Sequence, residues 1–191
     1  MKKEHLPGKV QVKGTMLHAH LDWLTKRVPD RAAAIKPHLP PDLFRAVVPG
    51  VLATAWVPLK TLVAVDRAIA RAGRGDADQT FRELGRHSAV SNLAGVYASF
   101  VTDEPHRFFE KQTRLHARFQ DFGRSVYEVV SPREGRLTLE EYVEYSPVFC
   151  LSAVGYYIGA LETMKAPGPI EVRETKCVCS GDRSCVFLIK F

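Results

Sequence analysis

Ile170-Glu171-Val172-Arg173-Glu174-Thr175-Lys176-Cys177-Val178-Cys179, then Ser180-Gly181-Asp182-Arg183, then Ser184-Cys185-Val186-Phe187-Leu188-Ile189-Lys190-Phe191 closes the chain. Two runs rich in β-branched and apolar residues flank a Gly-Asp turn, the pattern of an antiparallel hairpin. With the turn centred on Gly181, Cys177 and Cys185 face each other across the ladder, their Cβ atoms about 4.5–5.5 Å apart. Glu174, three residues before Cys177, reaches the same place if the strand bulges or bends.

Working back from this hairpin, Ala166-Pro167-Gly168-Pro169 ends a helix that begins at Pro147 and runs to about Met164. Before it, Ser125 to Val130 and Leu137 to Tyr142 alternate around the turn Ser131 to Arg136, a second hairpin. Everything earlier reads as helix apart from a short strand at Lys9 to Lys13. Helices are expected over Met16 to Arg27, Ala32 to Ile35, Leu43 to Val48, Pro58 to Ala72, and from an Asp78 cap to about Phe100. A long amphipathic helix then starts at Asp103-Glu104-Pro105, with Phe108, Leu115, Phe119 and Phe122 as its stripe. The order helices, hairpin, helix, hairpin predicts an α+β fold. A helical N-terminal half packs on an antiparallel sheet made of two hairpins separated by a helix. One domain is expected over 1–191, with 1–75 a helical extension and 76–191 the core.

The 191 residues are 46% hydrophobic and 25% charged, globular values with enough length for one hydrophobic core. No apolar stretch approaches the roughly 20 residues of a membrane span, and the N-terminus lacks a signal-peptide core, so the cytoplasm is the expected location. The net charge of +6 is spread along the chain. Without a basic arm, nucleic acid is not an expected partner. Arg107, Lys111, Arg114 and Arg118 recur at helical spacing and read as a solvated face.

The four cysteines, Cys150, Cys177, Cys179 and Cys185, all fall in the last 42 positions. In a reducing compartment such clustering favours metal or redox chemistry over a disulfide. Cys150 lies near the N-terminus of the last helix, where the helix dipole favours a thiolate. Three thiolates and the Glu174 carboxylate would complete a tetrahedral shell with no position open for a catalytic water. Spacing alone leaves inert buried thiols, a redox pair and a metal site all open.

Ser146-Pro147-Val148-Phe149-Cys150, Gly155-Tyr156, Gly159, Val172 to Cys177, Gly181-Asp182 and Cys185 together resemble the 4-vinyl-reductase-type, hydrocarbon-binding domain, which also serves phenol-responsive bacterial activators as their effector-sensing module. The likeness covers about the last 45 residues. It implies a structural zinc on Cys150, Glu174, Cys177 and Cys185, with Cys179 left out. It also implies a fold related to heme-nitric-oxide-sensor-associated domains and to subunits of the TRAPP vesicle-tethering complex, generally dimeric, with an apolar pocket between helices and sheet. Residues from Met1 to about Gly75 do not match the phenol-sensor motifs, and no ATPase or DNA-binding domain is expected within these 191 residues.

The expected function is therefore a zinc-stabilised, non-enzymatic sensor module for a small apolar or aromatic molecule, acting through a homodimer or a partner protein. A protein-interaction scaffold with a filled pocket, like the tethering subunits, is the alternative. Among the aromatic residues grouped around the pocket, Tyr127 and Tyr156 are the expected ligand contacts, although pocket and core aromatics share one sequence pattern. His18 and His20 read as polar residues at a strand–helix junction. No Ser/His/Asp arrangement or phosphate loop is readable, and Gly155 with Gly159 points to close helix packing.

Overall fold

The computed structural model describes residues 2–95 and 97–191. The N-terminal half opens with a short strand, β1 (Gln11–Lys13), paired antiparallel to β2 (Trp56–Pro58) through Val12 and Val57. Only β1 was expected from sequence. Trp56 and Val57 were missed because three residues before a helix-starting proline are too few to show an alternation.

Helices α1 (Gly14–Thr25), α2 (Arg31–Ile35), α3 (Pro41–Val47), α4 (Leu59–Gly73) and α5 (Ala77–Ala94) follow. Their starts obey local chemistry. The Asp30 side chain accepts the Ala33 N–H, and the Asp76 side chain accepts the Gln79 N–H. Asp76, not the expected Asp78, is thus the cap of α5. The stripe Leu59, Leu62, Val65 and Ile69 on α4 is fully buried. Each such side chain contributes about 1.5–3 kcal/mol of hydrophobic stabilisation.

The expected long helix after Pro105 is cut short. Helix α6 (Pro105–Arg114) stops where the His116 Nε2 reaches the Phe122 carbonyl at 3.0 Å, turning the chain back on itself. Phe119 and Phe122 keep helical spacing but sit in this turn, and Arg118 leaves the basic stripe. Lys111 binds the Ser99 carbonyl at 2.8 Å instead of remaining free on the surface.

The second half is the expected sheet. Strands β3 (Arg124–Ser131) and β4 (Glu134–Glu140) form one hairpin, β5 (Glu171–Lys176) and β6 (Cys185–Lys190) the other, and α7 (Pro147–Thr163) separates them. The strand order is β3-β4-β6-β5, antiparallel throughout. The fold is α+β, with a helical half packed on this sheet.

The end of this hairpin keeps the expected register: β5 ends with Lys176 opposite Val186, the step before Cys177 and Cys185, after an irregularity between Glu174 and Lys176. A short turn, Val178–Ser180, then carries the chain away. The bulge re-aims the strand end, as bulges do.

Two helices, α5 and α7, hold the halves together at unusually close range. A Cβ on Gly85 would overlap the Ser152 backbone, and one on Gly155 would overlap the Arg82 backbone. Only glycine allows that approach. Around this crossing the buried side chains form two clusters. One joins α1, α4, α5 and the start of α7, and the other joins α7 to the sheet and all four cysteines.

Candidate functional site

Two places gather chemistry-bearing side chains. The first is the thiol cluster. Ser146 caps α7, its hydroxyl accepting the Val148 N–H, and Pro147 begins the helix, so Cys150 is held in the first turn. Its Sγ lies 3.7 Å from that of Cys177, 4.0 Å from Cys179 and 3.9 Å from Cys185. One donor atom from each of Cys150, Glu174, Cys177 and Cys185 falls within 4.8 Å of the others. Cys179 is fully buried beside Cys150 but outside this set.

The turn is closed by the Cys177 N–H donated to Asp182 at 2.8 Å and the Val178 N–H donated to the Cys185 sulfur at 3.5 Å. The N-terminal segment lies over the cluster. Lys2 Nζ is 3.2 Å from Glu174 Oε2 and 4.0 Å from the Cys177 sulfur. Hydrogen bonding within the group pulls the Cys177 thiol below its ordinary range and pushes Cys150 up. Burial raises the Glu174 carboxyl, and its Oε1 is enclosed without a hydrogen-bond partner.

The second place is an internal cavity of about 80 Å³ where α1, α4, α5 and α7 meet the sheet. Tyr97, Phe119, Phe149, Tyr156 and Tyr157 supply its aromatic wall. Its polar points include His20, Ser88, Asn92, Gln112 and His116. Tyr156 therefore stands on the wall. Tyr127 is placed elsewhere: it stacks on Phe109 at 5.2 Å between ring centres, and its hydroxyl meets His106 Nδ1 at 2.8 Å. Burial lifts the phenols of Tyr156 and Tyr157 well above the ordinary range, so both are neutral hydroxyls. Burial also lowers His116, partly offset by its bond to the Phe122 carbonyl.

His20 and His18 part company. His18 is partnered by the Val51 carbonyl at the surface, whereas His20 is 2% exposed and its Nδ1 lies 2.6 Å from Oδ1 of Asp66, itself 1% exposed. The reading of both as junction residues fails for His20. A signal was present: His20 shares a helix face with Leu17, Leu21 and Leu24, and Asp66 shares one with Leu62 and Ile69. Polar residues inside apolar stripes are buried in pairs. Glu144 was also missed. It is 1% exposed and accepts the backbone N–H groups of Lys9 and Val10, anchoring the segment that leads into β1.

No family model matches this chain, and no curated protein does. Solved structures do share its fold. An H-NOX protein from S. oneidensis, described in its Fe(II)NO ligation state, superposes with a TM-score of 0.68 at 14% identity, covering 93% of this chain and 98% of that one. An unliganded Fe(II) H-NOX mutant from K. algicida gives 0.66 at 10% identity, covering 93% and 95%. A structure described as probing heme distortion in the H-NOX family gives 0.67 at 13% identity, covering 94% of each chain.

Two expectations change accordingly. The 4-vinyl-reductase and TRAPP names find no support in these comparisons. Structural zinc as the chain's cofactor is also corrected, because the structures that share this fold are described through heme. No helix among the described residues is long and apolar enough to cross a membrane. What the comparisons establish is architecture: over nearly its whole length this chain is similar in fold to the H-NOX structures.

Proposed function

We propose that this chain is a small-molecule sensor module, a binding protein and not an enzyme, whose ligand occupies the cavity between the helical half and the sheet. The observation that carries this reading is the enclosed aromatic cavity with a few convergent polar groups, the usual make-up of a ligand pocket. Its output would pass through a homodimer or a partner protein.

Heme is the first candidate to test, since the fold neighbours are described through it. The residues present do not fit that group. Drug-sized ligands occupy pockets of roughly 300–1,000 Å³, and a porphyrin is at least as large, against about 80 Å³ here. The lining includes no Lys or Arg to pair with the porphyrin's carboxylates. A single small aromatic molecule is far nearer in size: the apolar cavity that holds benzene is about 150 Å³, so the wall here must yield to admit one ring.

Calorimetric titration with toluene, fluorobenzene, indole and benzofuran tests the reading. Saturable binding of one molecule per chain is expected, with loss of binding when Ala153→Phe fills the wall. Failure of all four to bind below about 1 mM would overturn it. So would a stoichiometric Soret shift on adding hemin.

We propose separately that Cys150, Glu174, Cys177 and Cys185 accept a soft cation, supported by the convergence of four donor atoms. Cobalt(II) titration should produce thiolate charge-transfer bands at one equivalent. Their absence from the reduced protein would remove the proposal.

A further inference from the structure

His20 and Asp66 form a polar pair that the core itself gives no reason to contain. They come from different helices, α1 and α4, and both are essentially excluded from solvent. Leaving such groups unpaired would cost several kcal/mol, and pairing only offsets that cost. An apolar pair of the same volume would pack at least as stably. Stability therefore does not account for it.

Position does. His20 lines the cavity and Asp66 does not. The imidazole is held through Nδ1, at 2.6 Å from the Asp66 carboxylate. That contact requires a proton on Nδ1, since a carboxylate only accepts. With Nδ1 committed to Asp66, Nε2 is the ring nitrogen without a hydrogen bond to the protein, and a ring protonated at Nδ1 alone carries a bare lone pair there. Asp66 thus fixes one tautomer, as second-shell carboxylates do for functional histidines.

We infer that His20, oriented by Asp66, is the specificity-determining residue of the cavity, and that it selects ligands carrying a hydrogen-bond donor, an aromatic N–H or O–H, over isosteric molecules lacking one. This inference rests on the cavity reading above and deepens it. The Nε2 lone pair is satisfied by a donor ligand and left bare by an apolar one, and sites built around a buried polar group discriminate strongly on that basis. Gln112 adds a second buried acceptor on the wall, its Oε1 having no partner. His116 adds a third, because its Nε2 is bonded to the Phe122 carbonyl and its remaining nitrogen is the acceptor.

Indole and benzofuran are near-isosteric and differ in N–H against ring oxygen. Phenol and fluorobenzene form the corresponding O–H pair. Calorimetry on the wild-type chain should show indole bound at least 10-fold tighter than benzofuran, and phenol likewise over fluorobenzene. In His20→Phe both ratios should fall to near one. In Asp66→Asn, whose amide supports either tautomer, they should narrow while benzofuran affinity holds or improves. A merely structural pair would weaken all four ligands together.

Equal binding within the wild-type pairs, tighter binding of the donor-free partners, or a donor preference that survives His20→Phe would each overturn the inference and leave the cavity reading intact. If none of the four binds the wild type, the cavity reading itself falls. The wild-type ratios need no variant, so instability of His20→Phe does not blunt the test.

Discussion

The thiol cluster and the cavity lie on the same helix, yet they are opposites in construction. All four donor groups of the cluster come from a 36-residue stretch, Cys150 to Cys185, and rely on one hairpin and one helix turn. The cavity draws on α1, α4, α5, α7 and the sheet, from Thr15 to Tyr157. A local site survives as a pattern in the sequence, whereas a site assembled from distant helices dissolves into the hydrophobic periodicity of its parts.

The strongest way to break the comparison is to damage the support both regions share. Gly155→Val puts a branched side chain into the Arg82 backbone, and should cost about 3 kcal/mol or more. Chemical denaturation should show the loss, with cobalt and ligand binding failing together. Survival of either function would mean that α5 and α7 separate without consequence.

A selective pair of substitutions sharpens the contrast. Cys150→Ala removes the sulfur that touches the other three. It should abolish the cobalt spectrum, lower stability by about 1–2 kcal/mol as a small buried truncation does, and leave ligand affinity within about threefold. Ala153→Phe should do the reverse, blocking ligand while the cobalt bands persist. Cross-effects in both directions would show that the two places form one site.

The smallest effect concerns acid. His116 is neutral in the fold because burial lowers its affinity for protons. The unfolded chain binds a proton near the ordinary imidazole value of about 6.5, so the unfolded state gains protons first as pH falls. The stability contributed by the neutral ring is complete above that value and declines as the pH drops through and below it. His116→Gln, which keeps a donor for the Phe122 carbonyl, should flatten that part of the stability–pH curve. An unchanged slope would place the proton elsewhere.

The legibility of this chain follows the same division. The hairpins and α7 were readable because alternation, turns and proline punctuation are local signals. The convergence of Cys150, Glu174, Cys177 and Cys185 was readable because cysteine is rare and its spacing matched a turn, although the cofactor was assigned by resemblance and did not stand. The register leading to Cys177 and Cys185 was readable from the turn centre, and the bulge beside Glu174 is what that register needs to bring the carboxylate near the thiols. Helix α6 was overextended because Phe119 and Phe122 hold helical spacing while a side-chain bond from His116 folds the chain. Tyr156 reached the wall and Tyr127 did not, a distinction of strand direction and helix face that two tyrosines in sequence do not reveal.

The glycine-lined crossing of α5 and α7 has a mechanical meaning. Helix α7 is a rod gripped at mid-length through Gly155 and Gly159, and it carries Ser152, Ala153 and Tyr156 along the cavity and Cys150 at its free end. At about 1.5 Å of rise per residue, Cys150 lies only some 3 Å along the axis from Ser152. A rod so short and so tightly held does not bend between those points. An occupant that shifted this wall would move Cys150 with it, and through Cys150 the hairpin and the N-terminal segment laid across it.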